Sequence, residues 1–288
     1  MEQRKDSGVK MFLRQFAVFG LSEAVVTTLL APLERYKLLR QTTPLAKAGP
    51  AYRSLFSYLT QAPSSEGFLA FWRGNLTSVC RNFFTSVLRF RFHTVFMGLY
   101  LSGKPEEDSN LWTRSLMHET TLGLFLLLFT YPIDQIRVRL AVDVVPKGKD
   151  RNYFGFSDCL GKTIKGEGIK GSYQGLGITS LALGPYLAVG SLLDQELKAY
   201  IPEGYELHSR TYALLLLQTL FYPADTIRRR LQTNGARGQL RLYANTRDCI
   251  AQTWRSEGIA GFFAGLPVHL LRLLPSLYLF HTLTHLDY

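Results

Sequence analysis

The sequence predicts an all-α membrane protein with six transmembrane helices. They form three tandem repeats with pseudo-threefold symmetry and carry short amphipathic surface helices. Three observations predict this. Gly171 to Leu193 holds no Asp, Glu, Lys or Arg over 23 residues, and about 20 helical residues cross a bilayer core. The chain of 288 residues carries 33 Lys+Arg and 22 Asp+Glu, yet its mean hydropathy is +0.02, so charge is segregated from long apolar stretches. Finally, one residue pattern recurs three times at fixed spacing, and internal repeats of this kind decide an architecture.

In chain order, residues 15 to 33 contain one charge, Glu23. Residues 74 to 101 are apolar but hold Arg81, Arg89 and Arg91. Thr120 to Ile133 and Thr211 to Ala224 are uncharged runs ending near a Pro and an Asp, and Leu273 to Leu286 is another apolar run. With Gly171 to Leu193 these give six candidate helices. Charge within a spanning helix faces a protein interior or a water-filled cavity. The runs alone also suit a soluble helical protein with buried core helices.

The repeats favour the membrane reading. Pro32-Leu-Glu34-Arg-Tyr-Lys37 matches Pro132-Ile-Asp134-Gln-Ile-Arg137 and Pro223-Ala-Asp225-Thr-Ile-Arg228, each a Pro with an acid at +2 and a base at +5. A second element follows each: Glu66-Gly67 to Trp72-Arg-Gly74, Glu167-Gly168 to Tyr173-Gln-Gly175, and Glu257-Gly258 to Phe263-Ala-Gly265. The Pro-to-Glu separations are 34, 35 and 34 residues, and 16-residue blocks (Tyr52–Gly67, Tyr153–Gly168, Tyr243–Gly258) lie between. Each repeat therefore reads as a spanning helix, a Pro corner, a surface helix, a Gly-aromatic turn and a second spanning helix. The Pro kinks or ends the first helix and frees backbone groups, which a membrane tolerates only where they are re-satisfied. The acid and base either pair locally or reach a neighbouring copy. Three copies around one axis would close a ring of pairs.

Composition excludes several functions. The net charge of +11 suits nucleic acid, an anionic membrane surface or an anionic solute, but no zinc-finger spacing, RNP-like run or basic block favours nucleic acid. Cys80, Cys159 and Cys249 are too few for a disulfide scaffold and lack zinc-site spacing. Cys159 and Cys249 read as small packing residues, and His118 and His269 as partners in local hydrogen bonds rather than metal ligands. Gly161-Lys-Thr163 imitates a phosphate loop, but Gly155 lies one residue too far upstream. No HExxH or GxSxG occurs, so no enzyme, metal or cofactor is expected. The opening MEQRKDSGVKMFLR mixes charge signs and has no apolar core of a secretory signal.

At the repeated motifs the chain resembles the mitochondrial carrier family, and within it the ADP/ATP carriers. The likeness covers roughly residues 12 to 285, with local matches at Pro32 to Gln41, Phe71 to Leu76, Tyr131 to Ala141 and Tyr222 to Arg230. It implies one carrier domain over 1–288, with repeats at approximately 12–103, 112–200 and 205–286. It further implies a multi-pass protein of the mitochondrial inner membrane, with both termini toward the intermembrane space and the surface helices on the matrix side. Function would be exchange of adenine nucleotide or a related phosphate-bearing anion by alternating access. The resemblance implies a matrix network of Glu34–Arg137, Asp134–Arg228 and Asp225–Lys37, braced by Gln41. It implies substrate contacts at Arg81, Tyr186 and Arg272, and cardiolipin phosphates held at Gly74, Gly175 and Gly265.

The departures from the family pattern cluster. Thr27 stands where the family has a substrate-binding Lys, and Arg228-Arg-Arg230 is followed by Leu231-Gln-Thr233 rather than three Met. Ala182-Leu183 replaces a Gly-Ile pair. The even helices should end in an aromatic, an acid and a base three residues later; here they read Phe92-His93…Phe96, Leu193-Asp194…Leu197 and Phe280-His281…Thr284. Leu214 to Leu217 replace the small residues expected in the fifth helix and should hold its neighbours away. Two readings follow. Hydrogen bonds from His93, Asp194 and His281 serve a divergent transporter; or the fold no longer transports and is a structural subunit of a larger inner-membrane complex. In the second, Leu214–Leu217 and Phe125–Phe129 offer apolar faces to lipid or a partner.

Overall fold

The computed structural model describes residues 18, 20–43, 54–101, 111–148, 150–200, 206–236 and 241–285. Residues 1–17, Lys149 and the side chains of Phe280, His281 and Thr284 lie outside the described residues. Among the described residues the fold is all-α. A helix over 20–29 (α1) meets α2 (Ala31–Thr42) at a turn on Leu30. Next come α3 (Leu55–Ser65), a 3₁₀ turn (Phe68–Trp72) and α4 (Asn75–Tyr100). The second repeat is α5 (Leu111–Ala141), α6 (Phe156–Gly171) and α7 (Leu176–Tyr200); the third is α8 (Glu206–Gln232), α9 (Thr246–Phe262) and α10 (Leu266–His285). Thus α1 with α2, α4, α5, α7, α8 and α10 are the six long rods, and α3, α6 and α9 the surface helices.

By length and composition alone, α5 and the 176–197 part of α7 suffice to cross a membrane, and α9 with α10, bent by 42°, passes as a pair. Charge inside the remaining rods lowers their hydropathy, as the interrupted runs predict. The outer surface is apolar: Leu181 is 79%, Leu220 62% and Phe83 57% exposed.

Proline ends no helix outright in the second and third repeats. Pro132 and Pro223 lie inside α5 and α8, while Pro32 sits in the first turn of α2. Proline has no N–H for the carbonyl four residues earlier. In repeat 1 that carbonyl, Thr28, accepts Trp72 Nε1 at 2.9 Å; in repeat 2, Leu128 accepts the Tyr173 hydroxyl at 3.2 Å. This explains the recurring aromatic six residues after the Glu. Phe263 has no hydroxyl to donate in repeat 3.

Glycine closes the repeats on one another. Gly74, Gly175 and Gly265 each precede a long helix with positive φ (80°, 85° and 86°). A Cβ on them would lie 2.8 Å from Arg137 O, 3.1 Å from Arg228 O and 3.2 Å from Lys37 O respectively. Each glycine therefore touches the backbone of the next repeat's basic residue, in cyclic order. A side chain there would meet both a strained conformation and a wall.

The fifth helix corrects the sequence expectation. Leu217 is 5% exposed and packs on α7, where a Cβ on Gly190 would stand 3.0 Å from Leu217 Cδ2. Likewise a Cβ on Gly123 would stand 2.9 Å from Leu183 Cδ2. The bulk on one helix is matched by glycine on its neighbour, so Leu does not hold the rods apart. Of Leu214–Leu217 only Leu216 is exposed. Phe125 packs against Phe92 and Phe96, ring centroids 4.7 and 5.4 Å away, leaving Leu128 and Phe129 facing outward.

Candidate functional site

The Pro corners bring the three repeated acids and bases together at one end of a central cavity. Arg137 Nη1 lies 3.4 Å from Glu34 Oε1, and Lys37 Nζ lies 3.1 Å from Asp225 Oδ2. Arg228 Nη2 contacts Asp134 Oδ2 directly. Each pair joins two repeats, and together they close a ring. Gln41 Nε2 donates to Asp225 Oδ2 at 3.0 Å.

The ring holds more than the motif shows. Arg229 reaches two acids, at 2.8 Å from Asp134 Oδ2 and 3.3 Å from Asp225 Oδ1. Gln232 Nε2 donates to Asp134 Oδ2 at 3.0 Å. Gln232 and Gln41 both stand nine residues after their Pro, so aligning the repeats would have found the second brace. Arg229 had no such signal, because it lies within three consecutive arginines and outside the repeated positions.

A second belt lies beneath. Arg139 Nη2 donates to Glu167 Oε2 at 2.8 Å, and Arg230 Nη1 and Nη2 donate to the two Glu257 oxygens at 2.7 and 2.8 Å. In repeat 1, Glu66 instead accepts Arg35 Nη2 at 2.8 Å and Arg73 Nη1 at 2.7 Å. The Nε of each buried arginine donates to a carbonyl of the next repeat: Arg35 to Ala141 at 2.8 Å, Arg139 to Gln232 at 2.9 Å, Arg230 to Gln41 at 3.1 Å.

The surface helices support this belt from outside. Cys159 and Cys249, fully buried, sit on α6 and α9 against Ile136 and Ile227. Burial pushes the Cys159 thiol up to about 12, so it is an unreactive packing group.

Above the ring is a cavity of about 700 Å³, lined by Thr27, Arg81, Asn82, Leu183, Tyr186, Gln218, His269 and Arg272 as well as the ring residues. Arg81, Tyr186 and Arg272 all face it. Both arginines also lean on ring acids: Arg272 Nε is 3.0 Å from Glu34 Oε2, and Arg81 Nε is 3.8 Å from Asp134 Oδ1. Tyr186 Oη accepts Gln218 Nε2 at 3.0 Å, and Gln218 Oε1 lies 3.2 Å from His269 Nε2. No repeated spacing in the sequence marks this Tyr-Gln-His chain, and the partner of His269 lies on another helix rather than locally. Among the described residues six cations (Lys37, Arg81, Arg137, Arg228, Arg229, Arg272) meet the carboxylates of Glu23, Glu34, Asp134 and Asp225, so the floor is net positive.

Gly74 borders a larger groove on the outside, about 1690 Å³, with Leu21, Phe83, Arg73, Arg151 and the start of α6 on its walls.

The family model described as mitochondrial carrier protein matches residues 9–104, 110–204 and 211–284. Human ADP/ATP translocase 3 is 33% identical over 275 residues, covering 91% of this chain and 92% of that protein. ADP/ATP translocase 2 of Rattus norvegicus is 33% identical over the same length, and ADP/ATP translocase 4 of Bos taurus is 33% identical over 264 residues, covering 88% and 81%. With three matched repeats and similarity along most of its length, the chain belongs to the mitochondrial carrier family, a family of inner-membrane transporters and not of enzymes.

Proposed function

We propose that the chain exchanges an adenine nucleotide, or a related phosphate-bearing anion, across the mitochondrial inner membrane by alternating access. The observation that carries this reading is the net positive cavity above a closed ring of ion pairs. The ring of Glu34, Lys37, Asp134, Arg137, Asp225 and Arg228, braced by Gln41, is the matrix gate, and both termini face the intermembrane space. Arg81 and Arg272 take the phosphates, since a guanidinium suits bidentate contact with phosphate oxygens. Tyr186 flanks the base.

The geometry suggests how binding couples to the gate. Both substrate arginines already lean on ring carboxylates. A phosphate that captures them withdraws cations from Glu34 and Asp134. The ring then relies on fewer pairs, and its opening costs less. A ligand shifts such an equilibrium only by its differential affinity for the two states. Losing those shared cations is one source of that difference.

Gly74, Gly175 and Gly265 start helices whose free N–H groups can hold cardiolipin phosphates, and the groove beside Gly74 offers acyl chains an apolar bed. The relatives give the structural-subunit alternative no support.

The deciding experiment is nucleotide exchange by the purified protein in cardiolipin-containing liposomes. Uptake should saturate with ADP and fall at least tenfold in Arg81→Ala and Arg272→Ala. Thr27→Lys should tighten nucleotide binding. A wild-type protein that is folded in the vesicles and exchanges no phosphate-bearing anion overturns the reading.

A further inference from the structure

Toward the opposite end of the bundle, α4 and α5 bring two imidazoles and a carboxylate together. His93 projects from α4; His118 and Glu119 project from α5. His118 is 3% exposed, and its Nε2 is buried without a hydrogen-bond partner. Its Nδ1 lies 3.5 Å from Glu119 Oε1. His93 meets His118 edge to face, with centroids 5.0 Å apart and planes at 87°. One nitrogen of each imidazole and one oxygen of Glu119 lie within 4.8 Å of one another. The other Glu119 oxygen, Oε2, pairs with Arg89 Nη2 of α4 at 2.6 Å.

The local reading of His118 finds a partner for Nδ1 in Glu119 but leaves Nε2 without one. A buried imidazole nitrogen without a partner is rare in proteins. Beside this ring stand the His93 imidazole and the Glu119 carboxylate. Both become good partners if a cation sits among them.

We propose that His93, His118 and Glu119 bind a divalent transition cation of the imidazole-preferring class, of which Zn²⁺ is the representative probe. Imidazole nitrogen and carboxylate oxygen are ordinary zinc ligands, at about 2.0–2.2 Å from the metal. Ligand atoms around a tetrahedral metal stand roughly 3.4 Å apart at those bond lengths. The present spread therefore closes with small rotations of His93 and Glu119, the two partly exposed members. Water completes the coordination. Arg89 competes for the carboxylate but need not leave, because it uses the other oxygen.

The site joins the second and third long helices. Asp134 of the ring is 16 residues further along α5, about 24 Å away at 1.5 Å per residue. His93 stands at the position where the family pattern leads one to expect an acid. A metal here would fasten α4 to α5 where that pattern is missing. The proposal is independent of what the central cavity carries.

The test uses untagged protein in a Cys80→Ser background, which removes the exposed thiol as a competing ligand. After chelator stripping, one equivalent of Co²⁺ should give a ligand-field absorption band that Zn²⁺ abolishes. Zn²⁺ should also raise the thermal midpoint by several degrees. His93→Ala should abolish both signals, and Glu119→Gln should weaken binding at least tenfold. These two variants carry the test because His118 is buried and its loss risks the fold. Absence of the band, or a band and a zinc-dependent midpoint unchanged in His93→Ala, overturns the proposal.

Discussion

Repeat 1 and repeat 3 solve the same structural problem with different residues. Each must hold a buried Glu at the end of its surface helix and tie its Pro corner to the next repeat. Repeat 3 uses Arg230, seven residues after Pro223; repeat 2 does the same with Arg139. Repeat 1 has Leu39 at that position and uses Arg35, three residues after Pro32. The two positions are four residues apart, so both present one helical face, and a long guanidinium spans the difference. What recurs is therefore the geometry: a carboxylate, an arginine and a carbonyl of the next repeat. The residue number is free to slide by a turn. Repeat 1 also adds Arg73 to its Glu; at that position repeat 2 has Gln174, whose Nε2 donates to Glu167 Oε2 at 2.7 Å but brings no charge, and repeat 3 has Ala264, which can do neither.

That redundancy gives the largest predicted contrast. Arg230→Ala leaves Glu257, 1% exposed at its side chain, without its cation. Removing one member of a buried pair costs about 3–5 kcal/mol. The thermal midpoint in detergent should fall by about 10 °C. Arg35→Ala should cost clearly less, because Arg73 still holds Glu66. Equal losses in the two variants would break the comparison. Adding Leu39→Arg to Arg35→Ala should recover stability, since it rebuilds the arrangement of the other repeats.

The comparison also shows which parts were legible beforehand. Acids at +2 and bases at +5 could be read because their chemistry and spacing recur together, whereas the Gln41 brace was implied only by the family resemblance. The belt of Arg35, Arg139 and Arg230 could not, because one copy is shifted by a turn and strict alignment hides it. Arg229 lies in the same blind spot: it pairs with Asp225 one turn back on α8 and with Asp134 across on α5, and no single repeat records the second contact. The packing of Leu217 is not legible in α8 alone for a related reason. Close approach needs a small residue on one of two facing helices, and here Gly190 supplies it from the other.

A smaller effect tests the aromatic six residues after the Glu. Tyr173 and Phe263 occupy matching places, each stacked on the Tyr before its Pro with planes at 8°, at 6.3 and 6.4 Å. Only Tyr173 donates to the carbonyl that its Pro leaves without an N–H. Phe263→Tyr should therefore add a bond to Thr219 O and stabilise the protein by about 1 kcal/mol. Tyr173→Phe should lose a similar amount. A destabilised Phe263→Tyr would show that repeat 3 satisfies its Pro corner by other means. The readout is again the thermal midpoint, compared between the two substitutions.

The smallest effect concerns how the surface helices begin. Repeat 1 starts α3 with uncharged groups: Ser57 N–H donates to Ser54 Oγ and Ser54 N–H to Ser57 Oγ, both at 3.1 Å. At the position matching Ser57, repeat 2 has Asp158, whose Oδ2 accepts Lys162 Nζ and the Phe154 N–H, both at 2.9 Å. These bonds, that from Lys162 first, hold its carboxyl below the usual carboxylate range. A depressed folded value stabilises the native state above the ordinary aspartate pKa of about 3.9 and ceases to do so as pH falls through the folded value. Asp158→Asn should therefore lower the thermal midpoint slightly near neutral pH, and the gap to wild type should shrink as the solution is acidified below pH 4. Ser57→Ala removes a cap that does not titrate, so its gap should stay constant over the same range. If both gaps varied alike with pH, the carboxylate at the start of α6 would not be the titrating group, and the difference between the two starts would be one of shape alone.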